Sequence, residues 1–77
     1  MHLLNDNYTP MDFVVAVLEK FFAKKRQEAV NIMLQIHKQG MGLCGTYPCD
    51  EARIKVNSVM DYARQNKHPL QCTMGRG

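Results

Sequence analysis

Three short polar side chains in a row, Asn5, Asp6 and Asn7, follow the apolar residues Leu3 and Leu4 near the start of the chain. Asn and Asp side chains form hydrogen bonds with nearby backbone groups and therefore favour turns. Such a turn would hold amide and carboxylate oxygens at the end of an apolar element. A cluster of acceptors in that place could bind a small cation or an amine.

A second candidate group consists of His37 with Met33 and Ile36. Spacings of three and four residues place them on one face of a helix, so His37 lies at the edge of an apolar surface. A plainer interpretation stays open, in which His37 is a partly exposed residue favoured at a helix C-terminus by the helix dipole. If the apolar surface approaches the polar turn, the two form an apolar pocket with acceptors at its rim, as in many small-ligand sites.

Motifs for catalysis or metal binding are missing from the sequence. It contains neither a Gly-rich phosphate loop nor an HExxH motif. The odd number of cysteines (Cys44, Cys49 and Cys72) and the lack of a CxxC pair favour reduced, packed thiols over disulfides or zinc. A nucleophilic pair of His37 with Cys44 or Cys72 stays open. We expect no enzyme activity, no cofactor and no metal.

Composition indicates one small domain. The chain has 77 residues, of which 45% are hydrophobic, and no apolar run approaches the roughly 20 residues of a membrane span. The start of the chain lacks the pattern of a signal peptide, so we expect a cytoplasmic protein without a membrane partner. The net charge of +3 comes from scattered basic residues. Nucleic-acid binding is therefore an alternative with weak support, and no nucleic-acid partner is expected.

The periodicity of apolar residues predicts the elements that position these groups. Thr9 is predicted to cap a helix whose first residue is Pro10, with Asp12 where a capping-box acid would lie. The predicted elements are a strand at 1–4, helices at 10–22 and 26–39 with Gly40 as the stop, a short strand or strand-like turn at 41–46, a helix from Pro48 to about 66, and a strand at 70–74. This β-α-α-β-α-β order predicts an α/β fold, a small single-domain sandwich with a three-stranded antiparallel sheet packed against three helices.

Several separated motifs resemble one known family. They are residues 5–14 (NDNYTPMDFV), residues 33–37 (MLQIH), Cys44-Gly45, Ala52 with Lys55-Val56, and residues 68–73 (HPLQCT). They are similar, in the same order and over nearly the whole chain, to the motifs of the ClpS family, the bacterial adaptors of the Clp protease. The resemblance implies a small α/β sandwich, in agreement with the fold predicted from periodicity.

The resemblance also implies a function. Such adaptors bind N-degrons, which are proteins that begin with Leu, Phe, Tyr or Trp, and deliver them to the ClpA-type AAA+ unfoldase of the ClpAP protease. It assigns Asn5, Asn7 and His37 to the α-amino group and Asp6 to the peptide backbone. It assigns the following residues to the side-chain pocket: Leu3, Thr9, Met11, Val14, Met33, Ile36 and Leu70. It thus predicts an adaptor core at residues 1–74 and a loose end at residues 75–77.

Two departures from the family pattern affect these expectations. The family commonly has Asp where this chain has Asn7, so we expect weaker or altered N-degron binding. The family docking patch is matched by Asp50 and Lys55, but Arg53 reverses a charge between them. A long N-terminal tail that family members use for delivery has no match in this sequence, so we expect these residues to bind peptides without promoting degradation.

One further alternative comes from another class of protein. A small protein-interaction module that does not read N-termini would explain the fold equally well. It would not explain why the polar turn and His37 occur together.

Overall fold

The computed structural model describes residues 1–74 and confirms the predicted fold class and element order. The elements are β1 (His2–Leu4), α1 (Met11–Phe21), α2 (Arg26–Gln39), β2 (Met41–Leu43), α3 (Cys49–Gln65) and β3 (Gln71–Thr73). The helix bounds lie within about one residue of those expected from the apolar periodicity, and the strands are shorter than expected. The predicted loose end at 75–77 lies outside the described residues.

The strand β1 is the centre of the sheet. The strand order is β2-β1-β3, and β1 is antiparallel to both neighbours. Leu3 pairs with Gly42 on one side and with Cys72 on the other. These three residues form the buried row of the sheet, because successive side chains in a strand point to opposite faces.

The three helices cover that buried face. Helix α2 packs against β2, α3 packs against β3, and α1 contacts both of the other helices. The largest fully buried side chains are Leu3, Val17, Leu18, Cys44 and Val59. Helix α2 adds the buried residues Ala29 and Ile36, so all three helices contribute to the core. Within the described residues, no helix is long and apolar enough to cross a membrane.

Aromatic side chains join α1 to α3 and to the segment before β3. The ring of Phe13 stacks on Tyr62 with centroids 5.3 Å apart. His68 meets the same Phe13 ring edge-on, at a centroid distance of 4.5 Å. These contacts hold the beginning of α1, and with it the preceding polar turn, against the rest of the fold.

The start of α1 differs from the prediction. Pro10, with φ −63° and ψ 146°, occupies the capping position, and no side chain caps the helix. Thr9 lies one residue too early to act as the cap, and its hydroxyl instead donates to the Asp6 carboxylate at 2.7 Å. The predicted capping by Thr9 is therefore wrong, because the Thr9 hydroxyl donates its hydrogen bond to the charged carboxylate of Asp6, three residues earlier.

The end of α2 agrees with the prediction and also positions the turn. Gly40 ends the helix in the left-handed conformation, with φ 87°, and its N–H donates to the Ile36 carbonyl at 2.9 Å. The Gly40 carbonyl accepts a hydrogen bond from the Asn5 N–H at 2.9 Å. The polar turn therefore begins beside the last turn of α2.

Gly42 allows α2 to approach the sheet closely. A Cβ atom at this position would lie 2.6 Å from Cγ1 of Ile36 and 3.3 Å from the Ile32 carbonyl oxygen. Ile36 is 2% exposed and branched at Cβ, so it has little freedom to move away. Glycine usually weakens a strand, but at this position the packing of Ile36 against the sheet requires a residue without a side chain.

We predict that Gly42→Ala destabilises the protein by about 1–3 kcal/mol, the usual cost of inserting a methyl group into a packed core. Urea denaturation would measure the free energy of unfolding. Met41→Ala is the matched control, since Met41 is 45% exposed in the same strand and its loss should change stability by less than about 0.5 kcal/mol. A Gly42→Ala protein as stable as the wild type would contradict the close packing.

Candidate functional site

A pocket of about 230 Å³ opens between the polar turn, α1 and α2. Its walls include both groups that the sequence singled out. The lining residues are Asn5, Asp6, Asn7, Thr9, Met11, Val14, Met33, Ile36 and His37. The hydrogen bond between Asn5 and Gly40 explains their proximity, because it holds the turn against the end of the helix that carries His37.

The pocket has an apolar floor and a polar rim. Val14 and Ile36 are buried and Met33 is half-buried, so these side chains form the floor. Asn5, Asn7 and His37 are exposed and lie at the rim. This arrangement suits a guest with an apolar body and a polar end that donates hydrogen bonds.

The Asp6 carboxylate holds the turn together. Its Oδ1 atom accepts hydrogen bonds from the N–H groups of Tyr8 at 2.8 Å and Thr9 at 2.7 Å. Its Oδ2 atom accepts from the Thr9 hydroxyl at 2.7 Å. Partial burial by itself raises the pKa of Asp6, but these hydrogen bonds and the charge of His68 outweigh it and lower the pKa below 3.8.

The remaining acceptors in the lining are neutral. Among the described residues that line the pocket, Asp6 is the one carboxylate, and it already accepts three hydrogen bonds within the turn. Asn5 and Asn7 offer amide oxygens, and His37 offers an imidazole nitrogen when neutral. The rim therefore combines uncharged acceptors with one nearby negative charge.

Two of the residues predicted to line the side-chain pocket do not line it. Leu3 is fully buried at the centre of the sheet, and Leu70 is 3% exposed just before β3. Both belong to the hydrophobic core. The other predicted binding residues come together as expected, and their role in binding stays a prediction.

The two predicted docking residues have different surroundings at the start of α3. Asp50 is exposed in the first turn of the helix. The ammonium group of Lys55 donates to the Phe21 carbonyl at 2.9 Å and lies 4.9 Å from the centre of the Tyr47 ring. Lys55 thus places a positive charge at the C-terminal end of α1, where the helix dipole favours it.

The cysteine thiols are free, as expected, but only two of them are packed. Cys44 and Cys72 are buried, whereas Cys49 is exposed at the start of α3. Burial raises the pKa of Cys44 to about 12, with a further contribution from Cys72, and burial also raises the pKa of Cys72 to about 11. Both thiols are therefore protonated at neutral pH, and neither lines the pocket that contains His37.

Metal binding has no support in the geometry. Across residues 1–74, no group of three or more His, Cys, Asp and Glu side chains is placed to hold a metal ion. The residues that line the pocket offer hydrogen-bond acceptors and apolar side chains.

Two glycines that position the site were not assigned to it from the sequence. Gly40 supplies the carbonyl that holds Asn5, and Gly42 lets Ile36 pack against the sheet. Gly40 was recognised as a helix stop, which is a local signal. The hydrogen bond between Gly40 and Asn5 joins residues 35 positions apart, and no local sequence pattern predicts it.

Comparisons with known proteins agree with this fold. A family model described as "ATP-dependent Clp protease adaptor protein ClpS" matches residues 1–73. The ClpS adapter protein of Gluconobacter oxydans is 62% identical over 72 residues, which cover 94% of this chain and 60% of that protein. The corresponding protein of Rhodospirillum centenum is 58% identical over 72 residues, which cover 94% of this chain and 67% of that protein. The chain thus spans about two thirds or less of the length of these curated relatives.

A solved structure is also similar. The structure of Agrobacterium tumefaciens ClpS2 bound to L-phenylalaninamide matches with a TM-score of 0.90 and 30% sequence identity. The match covers 94% of this chain and 87% of that chain. The fold and the matching family model together define a small domain of the adaptor class. The chain belongs to the ClpS family of Clp protease adaptors.

The lowered pKa of Asp6 predicts a pH-dependent stability. A carboxyl group with a lower pKa in the folded protein contributes stability that is present above its unfolded value of 3.8 and is lost as the pH falls through the folded value. We therefore expect Asp6→Asn to destabilise the protein between about pH 5 and 7. Denaturation at a series of pH values should show that this difference shrinks below about pH 4.

Thr9→Val provides the matched comparison for Asp6→Asn. It removes the hydroxyl donor but leaves the carboxylate and both backbone hydrogen bonds. It should therefore keep part of the pH dependence that Asp6→Asn abolishes. A difference between wild type and Asp6→Asn that stays constant down to pH 3 would show that the hydrogen bonds do not favour the ionised carboxylate.

Proposed function

We propose that this chain binds the N-termini of proteins that begin with Leu, Phe, Tyr or Trp, and presents them to the Clp protease. The observation that carries the proposal is the pocket, in which an apolar floor lies directly beneath a rim of hydrogen-bond acceptors. A protein N-terminus with a bulky first residue has the matching shape and chemistry. In this proposal the chain is a binding protein and performs no catalysis.

The polar rim suits a free α-amino group. This group has an ordinary pKa of about 7.7–8.0 and is therefore largely cationic at neutral pH, with three donors. In the proposed complex, Asn5, Asn7 and His37 accept hydrogen bonds from the amine, and Asp6 lies close to the following peptide group. The negative charge of Asp6 also favours a cation at the rim.

The apolar floor suits one bulky side chain. The pocket volume of about 230 Å³ is smaller than the roughly 300–1,000 Å³ of sites for drug-sized ligands. It is lined by Met11, Val14, Met33 and Ile36, and methionine adapts to aliphatic and aromatic guests alike. Burial of a Leu or Phe side chain contributes roughly 1.5–3 kcal/mol. That amount is too small for tight binding without the amine.

The ligand of the related structure supports the same chemistry. The Agrobacterium protein binds L-phenylalaninamide, which is a single residue with a free amine and an aromatic side chain. By analogy, the first residue of a protein would place its side chain on the floor and its amine at the rim. The similar fold favours an equivalent binding mode in this chain.

Delivery requires a second surface. We place docking of a ClpA-type unfoldase at the start of α3, where Asp50 is exposed and Lys55 follows five residues later in the same helix. Lys55 uses one of its three donors for the Phe21 carbonyl, so two remain for a partner. Arg53 reverses a charge relative to the family patch, which should alter the strength of docking.

Acetylation of the peptide amine tests the proposed function. A fluorescent peptide that begins with Leu should bind, and its N-acetylated form should bind about tenfold or more weakly, because a charge-assisted hydrogen bond contributes about 1.5–3 kcal/mol. Fluorescence anisotropy would measure both affinities. A peptide that begins with Gly serves as the control for the side-chain pocket and should also bind weakly.

A protein-interaction module that does not read N-termini predicts another result. Binding would then be indifferent to acetylation and to the first residue. Such indifference would refute the proposed function. Strongly salt-dependent binding to nonspecific nucleic acid would instead favour a basic nucleic-acid module.

Asn7 should weaken binding relative to an aspartate at the same position. A charged acceptor forms a hydrogen bond roughly twice as strong as that of a neutral one, so we expect Asn7→Asp to increase the affinity for a Leu peptide about three- to tenfold. Asn57→Asp is the matched control, because it adds the same charge at an exposed position of α3 outside the pocket. Equal gains in both variants would assign the effect to net charge and refute a specific role of Asn7.

A further inference from the structure

Tyr8 combines a fixed backbone with an exposed aromatic ring. It is 79% exposed, the highest value among the large hydrophobic side chains in residues 1–74. Its N–H nevertheless donates to the Asp6 carboxylate at 2.8 Å, and the following residue, Thr9, is bound to the same carboxylate through both its N–H and its hydroxyl. The turn therefore fixes the place in the backbone from which the exposed ring projects.

That place is beside the mouth of the pocket. Asn7 and Thr9, the two chain neighbours of Tyr8, both line the pocket, whereas Tyr8 itself does not. Met11, which lines the pocket one turn further on, is also 45% exposed. Exposed apolar side chains next to a binding site provide contact area for whatever extends from it.

A bound N-terminus extends out of the pocket past its rim, and this turn forms part of that rim. Once the first side chain occupies the floor and the amine lies at the rim, the second residue lies outside, one step of about 3.3–3.6 Å along the chain. A tyrosine ring suits such a contact, since it offers a large rigid surface and loses little conformational entropy on binding.

We propose that Tyr8 contacts the second residue of the bound peptide and favours an aromatic or long apolar side chain there. This inference rests on the proposed function and adds a specificity determinant to it. The contact lies outside the pocket, so it adds to the recognition of the first residue and does not replace it.

The test compares two peptides that both begin with Leu and have either Phe or Gly as the second residue. The wild type should bind the Leu-Phe peptide about three- to tenfold more tightly, as expected for one aromatic contact. Tyr8→Ala should remove this preference by weakening the Leu-Phe peptide alone, and Tyr8→Phe should retain it. Ile54→Ala is the matched control, because Ile54 is a similarly exposed hydrophobic residue, at 66%, on α3.

The outcomes separate this inference from the proposed function. The wild type binding both peptides equally, or Tyr8→Ala weakening both equally, would overturn the role of Tyr8 if acetylation still weakened binding. If the wild type bound neither peptide, or bound them regardless of acetylation, the proposed function would fail and the inference with it. A loss confined to the Leu-Phe peptide supports both.

Discussion

The hydrogen bond from the Asn5 N–H to the Gly40 carbonyl is the contact on which the site depends. The strand β1 is paired on both sides, so the chain leaves the sheet after Leu4 at a defined point and in a defined direction. Gly40 ends α2 in a left-handed conformation and turns its carbonyl to meet that point. The rim acceptors of the turn and the imidazole of His37 are thereby brought to one pocket.

The turn contains polar groups that hold it together and polar groups that stay exposed at the pocket rim. Asp6 carries the charge and uses both oxygens to order Tyr8 and Thr9. Asn5 and Asn7 carry no charge and keep their side chains at the exposed rim. This division arises because the backbone N–H groups of Tyr8 and Thr9 are close to Asp6 in the chain and form hydrogen bonds with its carboxylate, in competition with any ligand. The field of Asp6 still favours a cation nearby.

The chain belongs to the ClpS family, and its pocket combines an apolar floor with a rim of hydrogen-bond acceptors. The family relationship identifies the fold and the class of protein, and the structure shows which residues of this chain line the pocket. Asn7 offers an amide oxygen at the rim and lacks the charge that the resemblance led us to expect there. Lys55 contributes to stability through the end of α1, so its predicted docking role coexists with a structural one.

The sequence by itself determined the elements and most of the site. Apolar spacing gave the helices, and Gly40 gave the end of α2, because both signals are local along the chain. The tertiary structure decided that Thr9 serves Asp6 instead of capping α1, that Leu3 and Leu70 belong to the core, and that Gly42 must lack a side chain. Those outcomes depend on which groups meet in space and compete for one partner or one volume. Residue spacing does not encode that competition.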